Sequence, residues 1–307
     1  MKKRFSLPAT AAALAAGGLG FYMSERVMHI RKKDDSLVIS REVAAKRLDL
    51  KAYESLPKEE VLIPSPFGYK LKSVFVKPFP ESKKWMIFCH GVTENKMNSV
   101  KYMNLFLKRG FNAVLYDHRR HGESGGSTTS YGYYEKHDLK AVADELLRRE
   151  GDGIFFGIHG ESMGAATLLL YAGELCGRAD FYIADCPFSS FRAQLIREFT
   201  RETRLPGKWF FPLADFFVRI RDGYSLRRVS PIDVVGRIKQ PVLFIHSAKD
   251  DYILPGMTKA LYEKKKGPKQ LFIAENGAHA QSLNLNREQY EQVIDEFLEK
   301  MAASRKL

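Results

Sequence analysis

Ser162 stands in Gly160-Glu161-Ser162-Met163-Gly164, directly after the apolar run at 154–158 and directly before Ala165-Ala166-Thr167-Leu168-Leu169-Leu170. This order describes a strand, a sharp turn and a helix, with a serine hydroxyl projecting from the apex. The turn is tight enough that side chains two residues before and after the serine would collide, so both positions are glycine, and the serine itself sits in a strained conformation. G-x-S-x-G alone recurs by chance, and its weight here comes from the strand before it and the helix after it. The chemistry it suggests is nucleophilic attack on an acyl carbon.

A serine hydroxyl is a poor nucleophile until a base takes its proton and an acid orients that base. For a serine on such an elbow the partners follow in the order acid, then histidine. Pro241-Val242-Leu243-Phe244-Ile245-His246 reads as a buried strand, and the loop leaving it carries Asp250 and Asp251. Gln270-Leu271-Phe272-Ile273-Ala274 reads as the next strand, followed by Glu275-Asn276-Gly277-Ala278-His279. A lone loop histidine is usually a surface residue, but its place behind Ser162 and an acidic loop makes His279 the expected base. The developing oxyanion needs N–H donors. Met163 supplies one at the N-terminus of the nucleophile helix, and Val92 supplies the other in His90-Gly91-Val92-Thr93, after the strand at 85–89. His90 precedes the serine and fits loop-shaping better than base catalysis.

On these residues the chain resembles the α/β-hydrolase superfamily, and more narrowly the bacterial single-pass, membrane-tethered serine hydrolases and the related palmitoyl-thioesterase and esterase branches. The motifs are His90-Gly91-Val92-Thr93, the run at 117–126, the elbow at 160–164, the run at 246–255, and Ala278-His279-Ala280-Gln281-Ser282, spread over nearly all the sequence beyond residue 60. Ser247 departs from the family's usual glycine, and Leu254 from a frequent proline. The resemblance implies an acid four residues after the strand-end histidine, hence Asp250, and a small helical cap at about 187–232. It implies a hydrolase of carboxylic esters or thioesters working through an acyl-enzyme, with no cofactor and no metal. A serine peptidase of the same fold and a catalytically silent interaction module are the alternatives.

The elements that must position these residues read as strands near 60–64, 71–77, 85–89, 111–116, 154–158, 181–185, 241–246 and 270–274, with helices near 98–108, 135–149, 163–176, 256–265 and 286–301. This alternation predicts an α/β fold, a mostly parallel eight-stranded sheet with helices on both faces. The last helix places Val293, Ile294, Phe297, Leu298 and Met301 at helical spacing, so it should pack on the sheet. Aromatic residues between 191 and 217 are expected to form the cap's own core, a few of them lining an apolar acyl pocket.

The 307 residues carry a net charge of +13, of which residues 1–33 supply +6. That basic cluster flanks an uncharged run at 5–24, long enough for a hydrocarbon core. The expectation is an uncleaved single-pass anchor over residues 1–33, favoured over a removed signal segment, with the remaining 34–307 forming the hydrolase domain. The basic residues are nearly balanced on the two sides of the run, so the membrane face is open. The triad and the strands lie beyond residue 33, so the domain is expected to be active without this segment. The remaining basic charge is dispersed with no nucleic-acid module, so nucleic acid is not an expected partner. Cys89, Cys176 and Cys186 have neither metal-ligand nor disulfide spacing and read as free thiols.

Overall fold

The computed structural model describes residues 7–175 and 177–305, with side chains described for 14–175 and 177–301. Eight strands form one sheet: β1 (Lys58–Pro64), β2 (Lys70–Val76), β3 (Lys84–Cys89), β4 (Asn112–Tyr116), β5 (Phe155–Glu161), β6 (Phe181–Asp185), β7 (Val242–Ser247) and β8 (Lys269–Ala274). Their order is β1-β2-β4-β3-β5-β6-β7-β8. β1 pairs antiparallel with β2, and β2 antiparallel with β4, while every pair from β4 to β8 is parallel. The helices are α1 (Leu7–Met28), α2 (Asp35–Ala44), α3 (Leu50–Ser55), α4 (Val100–Leu107), α5 (Glu135–Glu150), α6 (Met163–Glu174), α7 (Phe191–Thr203), α8 (Gly207–Asp222), α9 (Pro231–Val234), α10 (Pro255–Lys264), α11 (Ser282–Leu285) and α12 (Arg287–Arg305).

Parallel central strands are apolar on both faces because helices cover both faces. On β3, Trp85, Ile87 and Cys89 join the cluster formed with α5 and α6, containing Leu139, Val142, Leu168 and Leu169. The alternate residues Met86 and Phe88 join the opposite cluster, with Tyr102 and Phe106 of α4 and Ile294 and Phe297 of α12. Strand period two therefore divides one sheet between two cores. The parallel strands point their C-terminal ends the same way, and the loops leaving β3, β5, β7 and β8 all emerge at that edge, where ligands bind in open α/β sheets.

The strands and the helices at α4, α5, α6, α10 and α12 match the sequence expectations to within a few residues. α7 and α8 lie between β6 and β7, where the cap was expected. Cys89 and Cys186 are buried free thiols, and burial pushes both thiols above their ordinary pKa. Cys176 lies outside the described residues.

The membrane anchor is corrected. No helix among the described residues is long and apolar enough to cross a membrane. The uncharged run is rich in Ala and Gly, which contribute little apolar surface, and α1 continues past it through Glu25, Arg26, Val27 and Met28. Its C-terminal half packs on α8. Gly20 lies so close to α8 that a Cβ there would stand 2.3 Å from the Phe217 ring. Arg221 of α8 donates to Ser24 Oγ at 2.7 Å, pairs with Glu25 at 2.5 Å and covers the Phe21 ring. Lys2, Lys3 and Arg4, the basic flank of the expected anchor, lie outside the described residues.

Candidate active site

The turn between β5 and α6 is as strained as the glycine spacing requires. Ser162 has φ +55° and ψ −112°, outside the regions ordinary residues occupy. A Cβ on Gly160 would lie 2.5 Å from the Gly164 carbonyl carbon, and one on Gly164 would lie 2.1 Å from the Cys89 carbonyl oxygen. Any side chain at 160 or 164 would therefore push α6 off the turn and off β3.

The loops after β7 and β8 bring their side chains to this serine. Ser162 Oγ is 2.8 Å from His279 Nε2, and His279 Nδ1 is 2.7 Å from Asp250 Oδ2. A carboxylate only accepts, so Nδ1 carries the proton and Nε2 is left to accept from the serine hydroxyl. Asp250 is further fixed by His246 Nε2, which donates to Oδ2 at 3.0 Å, and by the amides of Tyr252 and Ile253, both 2.9 Å from Oδ1. Burial pushes the Asp250 carboxyl up, but the hydrogen bonds from His246 and His279 outweigh it and hold its pKa well below the usual carboxylate range. Asp251 points to solvent, 4.0 Å from Arg201.

Met163 is the first residue of α6, and Val92 lines the same cavity as Ser162 and His279. His90 does shape the loop. Its Nδ1 donates to Gly91 O at 2.7 Å and its Nε2 accepts from the His118 amide at 3.0 Å. His121 performs a parallel task, with Nε2 accepting from the Thr93 amide at 3.2 Å. Burial lowers their pKa values to about 4 for His90 and about 3 for His121, so both rings stay neutral at ordinary pH.

Sequence reasoning missed two groups here. Beneath the elbow, Glu161 accepts from Tyr102 OH at 2.7 Å and pairs with Lys101 at 3.1 Å, all three buried. Next to it Asp185 accepts from Ser282 at 3.0 Å and Tyr290 at 3.2 Å. An acid inside the elbow motif itself was the available signal. The second group comes from the N-terminal segment. Lys33 and Arg41 both bind Glu94, at the end of the Val92 loop, and Arg41 and Arg47 both bind Glu42. With Lys101, these residues wall a cavity of about 330 Å³ around Ser162 and His279. Its cations and anions pair with one another, so the wall is strongly polar with little free charge.

Residues 80–221 match the family model described as serine aminopeptidase, S33. The chain is 48% identical to the uncharacterized protein YqkD of Bacillus subtilis over 300 residues, covering 97% of this chain and 98% of that one. It is 26% identical to the alpha/beta hydrolase domain-containing protein WAV2 of Arabidopsis thaliana, over 81% of this chain and 80% of that one. An esterase of Pyrococcus furiosus superposes with a TM-score of 0.65 at 24% identity, over 81% of this chain and 94% of the esterase. With an eight-stranded sheet in this order and a nucleophile-type turn after β5, the chain belongs to the α/β-hydrolase superfamily.

Proposed function

We propose that the protein is a serine hydrolase that cleaves carboxylic esters or thioesters through an acyl-enzyme. The observation that carries this is the continuous chain from Ser162 Oγ to His279 to Asp250, at 2.8 and 2.7 Å. Ser162 Oγ attacks the acyl carbon while its proton passes to His279 Nε2. The amides of Val92 and Met163 hold the negative charge that develops on the carbonyl oxygen. Collapse breaks the bond to the leaving oxygen or sulfur, which takes the proton from His279. Water then attacks the acyl-serine, giving its proton to His279, and Ser162 recovers that proton as the acid departs. Asp250, held ionised by its four donors, keeps the imidazole in the required tautomer and stabilises its cation.

The description of the matched family model favours a second reading, a serine peptidase acting at an amino terminus. Such an enzyme must hold an α-ammonium group with an available carboxylate. The acids around Ser162 are already engaged: Glu94 by Lys33 and Arg41, Glu161 by Lys101 and Tyr102, and Glu42 by Arg41 and Arg47. The ester reading is therefore the better supported. Turnover of soluble p-nitrophenyl esters, with little on aminoacyl p-nitroanilides, is expected; the opposite ranking would favour the peptidase.

A further inference from the structure

We propose that α1 is one wall of an acyl-chain chamber, so that the substrate is an ester of a linear, medium-length acyl chain. This rests on the ester-hydrolase reading of Ser162 and names the acyl half of its substrate. A second cavity of about 310 Å³ lies between α1 and the two cap helices. Met23, Val27 and Ile30 line it from the N-terminal side, and Leu195, Phe211 and Ala214 from α7 and α8.

This cavity and the one around Ser162 share Ile30 and Tyr252. Tyr252 sets its ring edge-on to the His279 imidazole, with centroids 5.0 Å apart. The chamber therefore adjoins the reacting groups through two side chains. The two cavities differ in chemistry. The one around Ser162 is walled by ion pairs, which suit a polar leaving group, while the second is mostly aliphatic and aromatic, which suits hydrocarbon. Of its charged residues, Arg26 and Glu202 pair at 3.8 Å with both side chains exposed, and the buried Glu198 is neutralised by Arg197 at 2.6 Å and Arg201 at 2.5 Å. Buried Gln194 donates to Tyr252 O at 2.7 Å, linking the cap to the catalytic loop.

The volume holds roughly ten water-sized groups, which corresponds to a chain of roughly eight to ten carbons. Each methylene buried in it should multiply transition-state binding by roughly fourfold. The helix is held for this task by Arg221, through Ser24 and Glu25, rather than by its apolar surface alone.

The test compares kcat/KM on p-nitrophenyl octanoate and acetate for the full chain and for two variants, Met23→Trp on α1 and Leu195→Trp on α7. Both positions are partly buried and line the chamber from different elements, so an indole at either fills it. The full chain should favour octanoate by at least about tenfold, and that ratio should fall at least about tenfold in each variant whose thermal midpoint is retained. An unchanged ratio in both folded variants, or no octanoate preference in the full chain, would overturn the chamber while leaving the serine hydrolase standing. Inactivity of the full chain toward every ester would overturn the ester-hydrolase reading first and the chamber with it.

Discussion

Arg41 holds Glu94 with two hydrogen bonds, Nη1 to Oε1 at 3.0 Å and Nη2 to Oε2 at 2.7 Å, across 53 residues of sequence. Glu94 ends the loop that begins at His90, and the Lys33 amide also donates to Thr93 O at 3.1 Å in that loop. Thr93 has φ +69°, a conformation that needs outside support. The N-terminal segment thus braces the loop proposed to bind the oxyanion. This changes the expectation that residues 1–33 are dispensable.

Glu94→Ala should lower stability by about 1–3 kcal/mol, because Arg41 and Lys33 lose an acceptor but remain partly solvated. Ester turnover should fall about tenfold or more with KM less affected, since the loop acts on the transition state. Urea unfolding and steady-state kinetics measure both. Deleting residues 1–33 should be harsher, removing Lys33 and uncovering α8.

Asp250 and Asp251 are adjacent, yet only Asp250 reaches His279. Asp250→Asn should lower kcat by ~10³–10⁴, because an amide at that position lets the imidazole adopt the wrong tautomer. Asp251→Asn should cost under about tenfold. Parallel kinetics on the two folded variants check the ranking, and the reverse order would move the acid to Asp251.

Asp185 gives a pH dependence of defined sign. Burial first, and then the Glu161 charge, push its carboxyl up to about 6, against about 3.9 for an unfolded aspartate. Between these values the folded state holds a proton that the unfolded chain has released, so stability falls as pH rises from about 4 through about 6. Asp250 has the opposite sign, since its lowered pKa contributes stability that is lost only as pH falls below about 4. Asp185→Asn should therefore make the change in stability on going from pH 5 to pH 7.5 more favourable than in the unmodified protein, by something of order 1–3 kcal/mol. Asp138, also raised to about 6 by burial, and His90 and His121, lowered by burial and so of opposite sign, contribute alike to both proteins, and the difference between the two isolates Asp185. Urea titrations of both proteins at the two pH values measure the difference, and equal pH slopes would contradict the assignment.

The sheet was legible because each central strand is a short apolar run bounded by turn residues, and both of its faces are buried. Ser162 and His279 stand out in the sequence because the elbow and a strand end announce them in chain order, while the strand end alone leaves Asp250 and Asp251 open and only the family resemblance selects Asp250. The N-terminal segment was not. An uncharged helix reads alike whether lipid or α8 covers it, and the decisive contact, Gly20 against Phe217, joins residues far apart in sequence. α2 and α3 were missed because they are short and weakly apolar, held by pairs such as Arg41–Glu42 and Arg47–Glu42 that periodicity does not encode. Lys101 and Glu161 escaped notice for a related reason. Charged residues ordinarily read as solvated, while here each neutralises the other beneath the elbow.

The central claim is that Ser162 is the nucleophile, and covalent labelling by a fluorophosphonate measures it most directly. The unmodified protein should take up one label per chain, located on Ser162 by peptide mass spectrometry. Ser162→Ala should remain folded, take up none, and lose at least ~10³-fold in ester turnover, because the triad members act as one unit. Retained labelling in folded Ser162→Ala, or a label found on another residue, would contradict the account.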